Sequence, residues 1–154
     1  MLVILNMGLR VSEISDLRPG SINITSRKMR IVNDKGGKDR DLAIPAGIGE
    51  TLRQWKGRKP KGTKYFFCTL KGKQLSIRYL CEMVKRYGRK AKIDKNISPH
   101  TLRHTYATEY YRQTKYIETL RRILGHSDIS TTTIYITLAN IDVENGMKSF
   151  KGFL

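Results

Sequence analysis

Residues 22–45 read INITSRKMRIVNDKGGKDRDLAIP, and this stretch decides the fold. Its apolar residues recur at a period of two: Ile22 and Ile24, then Met29 and Ile31, then Leu42 and Ile44. That alternation gives three short strands one apolar face each, as in a sheet buried on one side only. Between the second and third strands, Asp34-Lys35-Gly36-Gly37-Lys38 reads as a hairpin tip, because adjacent glycines accept the positive φ of tight turns. The stretch therefore predicts a small antiparallel three-stranded sheet near the N-terminus.

On both sides the period becomes helical. Upstream, Leu2 to Met7 forms a short apolar helix stopped by Gly8, a residue suited to the left-handed position after a helix. A second short helix restarts near Ser12, with Glu13 in its first turn and Ile14 and Leu17 on one face. Pro19-Gly20 then turns the chain into the first strand. Downstream, a helix is expected over Ala46 to Lys56, followed by a basic Gly/Pro loop and an apolar patch at Tyr65-Phe66-Phe67. Ile77, Leu80, Cys81 and Val84 fall on one helical face, which predicts a helix from Ser76 to Ala91. Ser98-Pro99 supplies a cap and a first-turn proline for a helix running to Gln113. Tyr116 to Leu124 forms another, ended by Gly125. Ser130 caps a short helix over Thr131 to Leu138, and Asp142 to Ser149 forms a terminal one. The fold class is α+β, mainly helical around that small sheet.

Charge narrows the function. The 154 residues carry 30 Lys and Arg against 13 Asp and Glu, a formal net charge of +17. A balance of this kind points to a polyanion, with nucleic acid first and an anionic membrane surface second. From Thr51 to Cys81 there are nine basic residues and no acidic one. Such a stripe either neutralises phosphates along a duplex or is a solvated face. No apolar run approaches the roughly 20 residues that span a bilayer. The opening MLVILNMGLR lacks the basic start and small-residue cleavage site of a secretory leader. Cys68 and Cys81 are too few for a disulfide scaffold or a Cys-rich zinc site and fit reduced thiols inside a cell. His100, His104 and His126 lack a third ligand at metal-binding spacing, so no metal is expected. There is no glycine-rich phosphate loop of the ATP-binding type and no nucleophile elbow.

Several residues could do chemistry. Arg10 follows the Gly8 stop, where its fork can pair with Glu13 or Asp16 or grip a phosphate. Lys35 at the hairpin tip is either solvated or a mobile proton donor. His100 and Arg103 share one face near the positive end of their helix, where an anion is favoured. His104 beside them reads as a packing or supporting residue. His126 follows Gly125, and Tyr135 stands between Ile134 and Ile136, as a core aromatic or as a nucleophile toward a phosphodiester.

Four segments carry a resemblance: Gly8-Leu9-Arg10-Val11-Ser12-Glu13-Ile14, Lys35-Gly36-Gly37-Lys38-Asp39-Arg40, Pro99 through Thr108, and Leu124-Gly125-His126-Ser127 through Thr133-Ile134-Tyr135. In this order and spacing the chain resembles the tyrosine recombinase, or phage integrase, family from Gly8 to about Leu138. The resemblance implies a catalytic domain that breaks and rejoins DNA without metal, ATP or other cofactor. Tyr135 would be the nucleophile that forms a 3′-phosphotyrosine. Arg10 and Arg103 would clamp the scissile phosphate. Lys35, with Lys38 as its rival, would protonate the 5′-hydroxyl leaving group. His100 would assist proton transfer, His126 would hydrogen-bond the phosphate, and Glu13 would support the site. Lys38, Arg40, Arg58, Lys59, Lys61 and Lys64 are the expected duplex contacts. The implied partners are double-stranded DNA and further copies of the chain in a tetramer, joined through Asp142 to Leu154, with no membrane. The implied location is the cytoplasm, on the nucleoid. The family's separate N-terminal core-binding domain would be absent, and the catalytic domain would lack its first helix. Alternatives are a type IB topoisomerase, disfavoured by the lack of an insert before Tyr135, and a non-catalytic DNA-binding module.

Overall fold

The structure, a computed structural model, describes residues 1–32, 39–126, 132–135 and 137. The chain forms two compact units, Met1–Tyr106 and Ala107–Leu154. In the first, α1 (Leu2–Met7) ends on Gly8, whose φ of 65° is the left-handed conformation expected there. The Gly8 N–H donates to the Ile4 carbonyl (2.9 Å). Helix α2 (Val11–Asp16) follows at once, with Arg10 extended at its cap. The Arg10 N–H donates to Glu13 Oε2 (2.8 Å), so a carboxylate closes the first turn. A 3-10 turn over Pro19–Ser21 leads into the sheet.

The sheet is antiparallel in the order β1-β2-β3, with β1 at Ile22–Asn23, β2 at Lys28–Ile31 and β3 at Arg40–Ala43. Ile22 lies opposite Met29, Met29 opposite Leu42, and Ile31 opposite Arg40. Ile22, Met29, Ile31 and Leu42 are buried, as the period of two predicts. Strand β1 stops short of Ile24, because Asn23 Oδ1 accepts from the Ser26 N–H (2.9 Å) and begins the turn. The turn brings Arg27 to φ 52°, a conformation few non-glycine residues adopt. Its carbonyl is held by the Ile44 N–H (2.9 Å). The hairpin tip with Lys35 and Lys38 lies outside the described residues.

Helix α3 (Ala46–Arg58) runs two residues past its predicted end and buries Ile48 and Leu52. Its basic last turn, Lys56 and Arg58, suits the negative end of the helix dipole. The Tyr65-Phe66-Phe67 patch clasps it. Trp55 Nε1 donates to the Phe66 carbonyl (2.8 Å), and Phe67 stacks on the Trp55 ring at 6.4 Å between centroids. Phe66 is 1% exposed, and its N–H donates to the Leu17 carbonyl (2.6 Å). Phe66→Ala should therefore lower stability by about 3–5 kcal/mol. A urea melt is the check, and an unmoved midpoint would contradict the role given to this side chain.

Cys68 pairs with Gln74 in an isolated antiparallel bridge that period-counting does not reveal. Helix α4 (Ile77–Lys90) is capped by Ser76, whose side chain accepts from the Tyr79 N–H (3.1 Å). It packs on α2, and α1 packs on α3. Helix α5 (Pro99–Thr114) opens as predicted, with Ser98 Oγ accepting from the Thr101 N–H (3.1 Å). Cys68 is buried and Cys81 half-buried, both as free thiols.

In the second unit, α6 (Ile117–Leu124) buries Leu120 and Leu124 and ends on Gly125 at φ 64°. Residues 132–135 and 137 are helical and carry buried Thr132 and Tyr135. The Ser130 cap and the helix expected over Asp142 to Ser149 lie outside the described residues. Among the described residues, no helix is long and apolar enough to cross a membrane, and no His, Cys, Asp or Glu cluster could hold a metal ion.

Candidate active site

The junction between α1 and α2 is built by local chemistry. Gly8 ends α1, and the next helix cannot start until Arg10 has taken the capping position. The Gly8 carbonyl accepts a hydrogen bond from Arg103 Nη1, across 95 residues of chain. Arg103 lies one turn into α5 and is only 6% exposed. Helix α5 thus delivers a buried guanidinium to the backbone two residues from Arg10.

Glu13 organises the rest of the junction. Besides the Arg10 N–H, it accepts from Arg10 Nη1 at Oε1 (3.1 Å). Arg40 on β3 places its fork on the same carboxylate, Nη1 to Oε1 at 2.9 Å and Nη2 to Oε2 at 3.0 Å. The Glu13 and Arg40 side chains are 5% and 9% exposed, whereas Arg10 keeps 35%. Two of the Arg40 nitrogens thus hold Glu13, a role beyond the duplex contact expected of this residue. Of the two readings of Arg10, the ion pair with Glu13 is present, and the partial exposure leaves the side chain accessible to a ligand.

Burial pushes the Glu13 carboxyl upward, but the hydrogen bonds and charge of Arg40, and then the N–H and charge of Arg10, outweigh it. The net result lies below the ordinary value of 4.5. Glu13 therefore adds stability that is fully present above about pH 4.5 and is lost as the pH falls through its lower folded value. Glu13→Ala should cost about 3 kcal/mol, since it takes both hydrogen bonds from a nearly buried Arg40. It should also flatten the acid limb of stability against pH. Urea melts from pH 7 to pH 3 would show an unaltered slope if the pairing contributed nothing.

His100 is exposed on the first turn of α5, and its ring meets His104 edge to face at 4.9 Å. Burial, then the charges of His100 and Arg103, lower the His104 pKa below 6.5 and keep the ring neutral at neutral pH.

In the second unit, His126 is held by its neighbours. Its N–H donates to the Arg121 carbonyl (3.1 Å), and its own carbonyl accepts from Arg121 Nη1 (2.8 Å). Nδ1 bonds Thr132 Oγ1 (3.0 Å), and Thr132 is fully buried. Thr132 and Tyr135 are three residues apart in helical conformation and so share a face. A hydrogen bond thus ties His126 to the face that carries Tyr135. Tyr135 is 3% exposed while Ile134 is 45% exposed, so it is the tyrosine that points inward. The sequence reading missed Thr132 and Arg121; the position of Thr132 one helical turn before Tyr135 was the available signal.

The basic loop divides. Arg58, Lys61 and Lys64 are exposed. Lys59 instead donates to Thr63 Oγ1 and to the Pro60 carbonyl (3.3 Å), and so helps to fold the loop. Lys64 and Arg18 both lie over the Tyr65 ring, at 5.9 and 4.9 Å.

Comparison with known proteins identifies the family. The sequence matches the Phage integrase family over residues 1–140. It is 36% identical over 138 residues to tyrosine recombinase XerD of Ralstonia nicotianae, covering 86% of this chain and 45% of that protein. Identity to tyrosine recombinase XerA of Pyrococcus furiosus is 34% over 138 residues, covering 88% and 48%. The chain spans about half the length of these curated relatives. The crystal structure of XerA recombinase aligns with a TM-score of 0.86 at 25% identity, over 99% of this chain and 57% of that one. XerH site-specific recombinase, in a post-cleavage complex with palindromic difH substrate, aligns at 0.78 and 26% identity, over 97% and 44%. Both share the mainly helical fold with its small sheet. With a match through residues 1–140 and the fold in common, the chain belongs to the phage integrase family, the tyrosine recombinases.

Proposed function

We propose that this chain is the catalytic part of a site-specific DNA recombinase that cleaves and rejoins strands through a 3′-phosphotyrosine. The observation that carries the reading is the buried Arg103 guanidinium brought to the Gly8–Arg10 junction. Fixed cations of this kind stabilise the charge that grows on a phosphate in the transition state. Arg10 and Arg103 grip the non-bridging oxygens of the scissile phosphate. The Tyr135 hydroxyl attacks phosphorus, the bond to the 5′-oxygen breaks, and Lys35 supplies the proton that oxygen needs. His100 receives the tyrosine proton, and His126 donates a hydrogen bond to the phosphate. Rejoining is the same step reversed, since the phosphotyrosine conserves the phosphodiester bond energy, and no ATP is consumed.

The net charge of +17 supports double-stranded DNA as the substrate, as does the difH complex of the similar XerH. Arg58, Lys61 and Lys64, together with Lys38, contact phosphates. On this reading the segment Asp142 to Leu154 joins copies into a closed tetramer on DNA, on the nucleoid in the cytoplasm. Neutralising Arg58, Lys61 and Lys64 together should reduce the slope of log affinity against log salt by about 2 to 3. A slope equal to that of the unmodified protein would mean that the loop faces solvent in the complex.

The test is a nicked suicide duplex incubated with the protein in a chelator. A covalent protein–DNA species that survives detergent is expected. Its absence at high protein concentration contradicts the reading. Efficient relaxation of plasmids regardless of sequence would favour a type IB topoisomerase instead.

A further inference from the structure

We propose that Arg121, anchored by Glu118, is a positioning residue for His126. The inference rests on the reading of His126 as a phosphate ligand. The two residues also stand outside the four segments that carry the family resemblance.

The problem this contact solves is set by the helix end. Gly125 turns left-handed after α6, and the residue just beyond such a cap is tied back to the helix through its N–H, which leaves its carbonyl to be held by other means. The Arg121 side chain supplies that second hold, so the His126 backbone is gripped at both its N–H and its carbonyl. The Arg121 carbonyl accepts the His126 N–H (3.1 Å), and Arg121 Nη1 donates to the His126 carbonyl (2.8 Å). The guanidinium is itself held, because Nε and Nη2 donate to the two oxygens of Glu118 at 2.8 and 2.7 Å. Arg122 Nε adds a third bond to the same carboxylate (3.1 Å).

Backbone clamp and ring contact then act together. Arg121 fixes the main chain of His126, and Thr132 fixes its Nδ1 (3.0 Å). With both set, the direction of the opposite ring nitrogen is set as well. Two arginines hold Glu118 down to about 2, so the anchor stays ionised at any pH where the protein would work. An exposed pair three residues apart on a helix adds little to stability. Its value here is geometric, since displacing a transition-state ligand by about 1 Å can cost on the order of 100-fold in rate. The effect on rate should therefore exceed the effect on folding.

The experiment measures single-turnover adduct formation on the nicked duplex for the full chain and five variants. Arg121→Ala should be about 10-fold slower with unchanged duplex affinity. Arg121→Lys keeps the charge but cannot hold Glu118 and the His126 carbonyl at once, so it should be slowed similarly. Glu118→Gln should fall between. The double variant Arg121→Ala/His126→Ala should be no slower than His126→Ala alone, because Arg121 acts through His126. Independent, multiplying losses would overturn the proposal, as would an unchanged rate in Arg121→Ala. Nitrogen-15 NMR of the His126 ring gives a readout that needs no activity. Arg121→Ala should shift its resonances, and unmoved resonances would overturn the positioning role even if the unmodified chain forms no adduct. That last failure would instead count against the recombinase reading.

Discussion

Tyr135→Phe should abolish the covalent intermediate while leaving the protein folded. The loss expected is at least about 10⁴-fold, the scale seen when a nucleophile is removed from an enzyme whose binding groups remain. Phenylalanine fills the same buried space at a position that is 3% exposed, so the packing around the ring survives. Only the hydroxyl is lost, which costs no more than the roughly 1 kcal/mol of a hydrogen bond. Thermal melting would show this small change, and binding of an intact duplex should keep its affinity. A Phe variant that still forms adduct would refute Tyr135 as the nucleophile.

Arg103 should give the second largest effect, and its two substitutions separate charge from geometry. Arg103→Lys keeps a cation but loses the planar fork that can bond the Gly8 carbonyl and still face a ligand. Adduct formation should fall by about 10² to 10³, the scale of losing one fixed donor to a transition state. Arg103→Ala should fall further and destabilise the fold by about 2–4 kcal/mol. It empties a site that is 6% exposed and leaves the Gly8 carbonyl without this partner. Rates within a few-fold of the unmodified protein for Arg103→Lys would mean that the guanidinium serves the fold rather than the phosphate.

The parts of the fold that were legible in the sequence are those that local rules control. A sheet with one buried face must alternate, and Met29, Ile31 and Leu42 were identified on that ground. Helix ends at Gly8, Ser98 and Gly125 were visible because left-handed turns and side-chain caps demand particular residues. Strand β1 shrank to two residues because the Asn23 side chain competes for the backbone, a choice that alternation alone does not reveal.

The site was less legible. Position along the chain marked Arg10, Arg103, His126 and Tyr135 as candidates and family resemblance gave them roles, but neither showed what holds them. The Arg103 partner is a backbone carbonyl 95 residues away, and every residue carries a carbonyl, so no pattern marks it. Arg40 looked like one more cation in a basic motif. Only the register of β3 brings it to Glu13, 27 residues earlier in the chain. A net charge of +17 thus conceals two uses of arginine, one facing solvent and one tying elements together.

If Tyr135 is the nucleophile, the DNA must be attached to its oxygen, and the point of attachment can be located. Adduct formed on a nicked suicide duplex would be digested with nuclease and protease and the modified peptide sequenced by mass spectrometry. A 3′-nucleotide phosphate on the Tyr135 oxygen is expected. Attachment to any other residue, or no adduct from folded protein that binds the duplex, would contradict it.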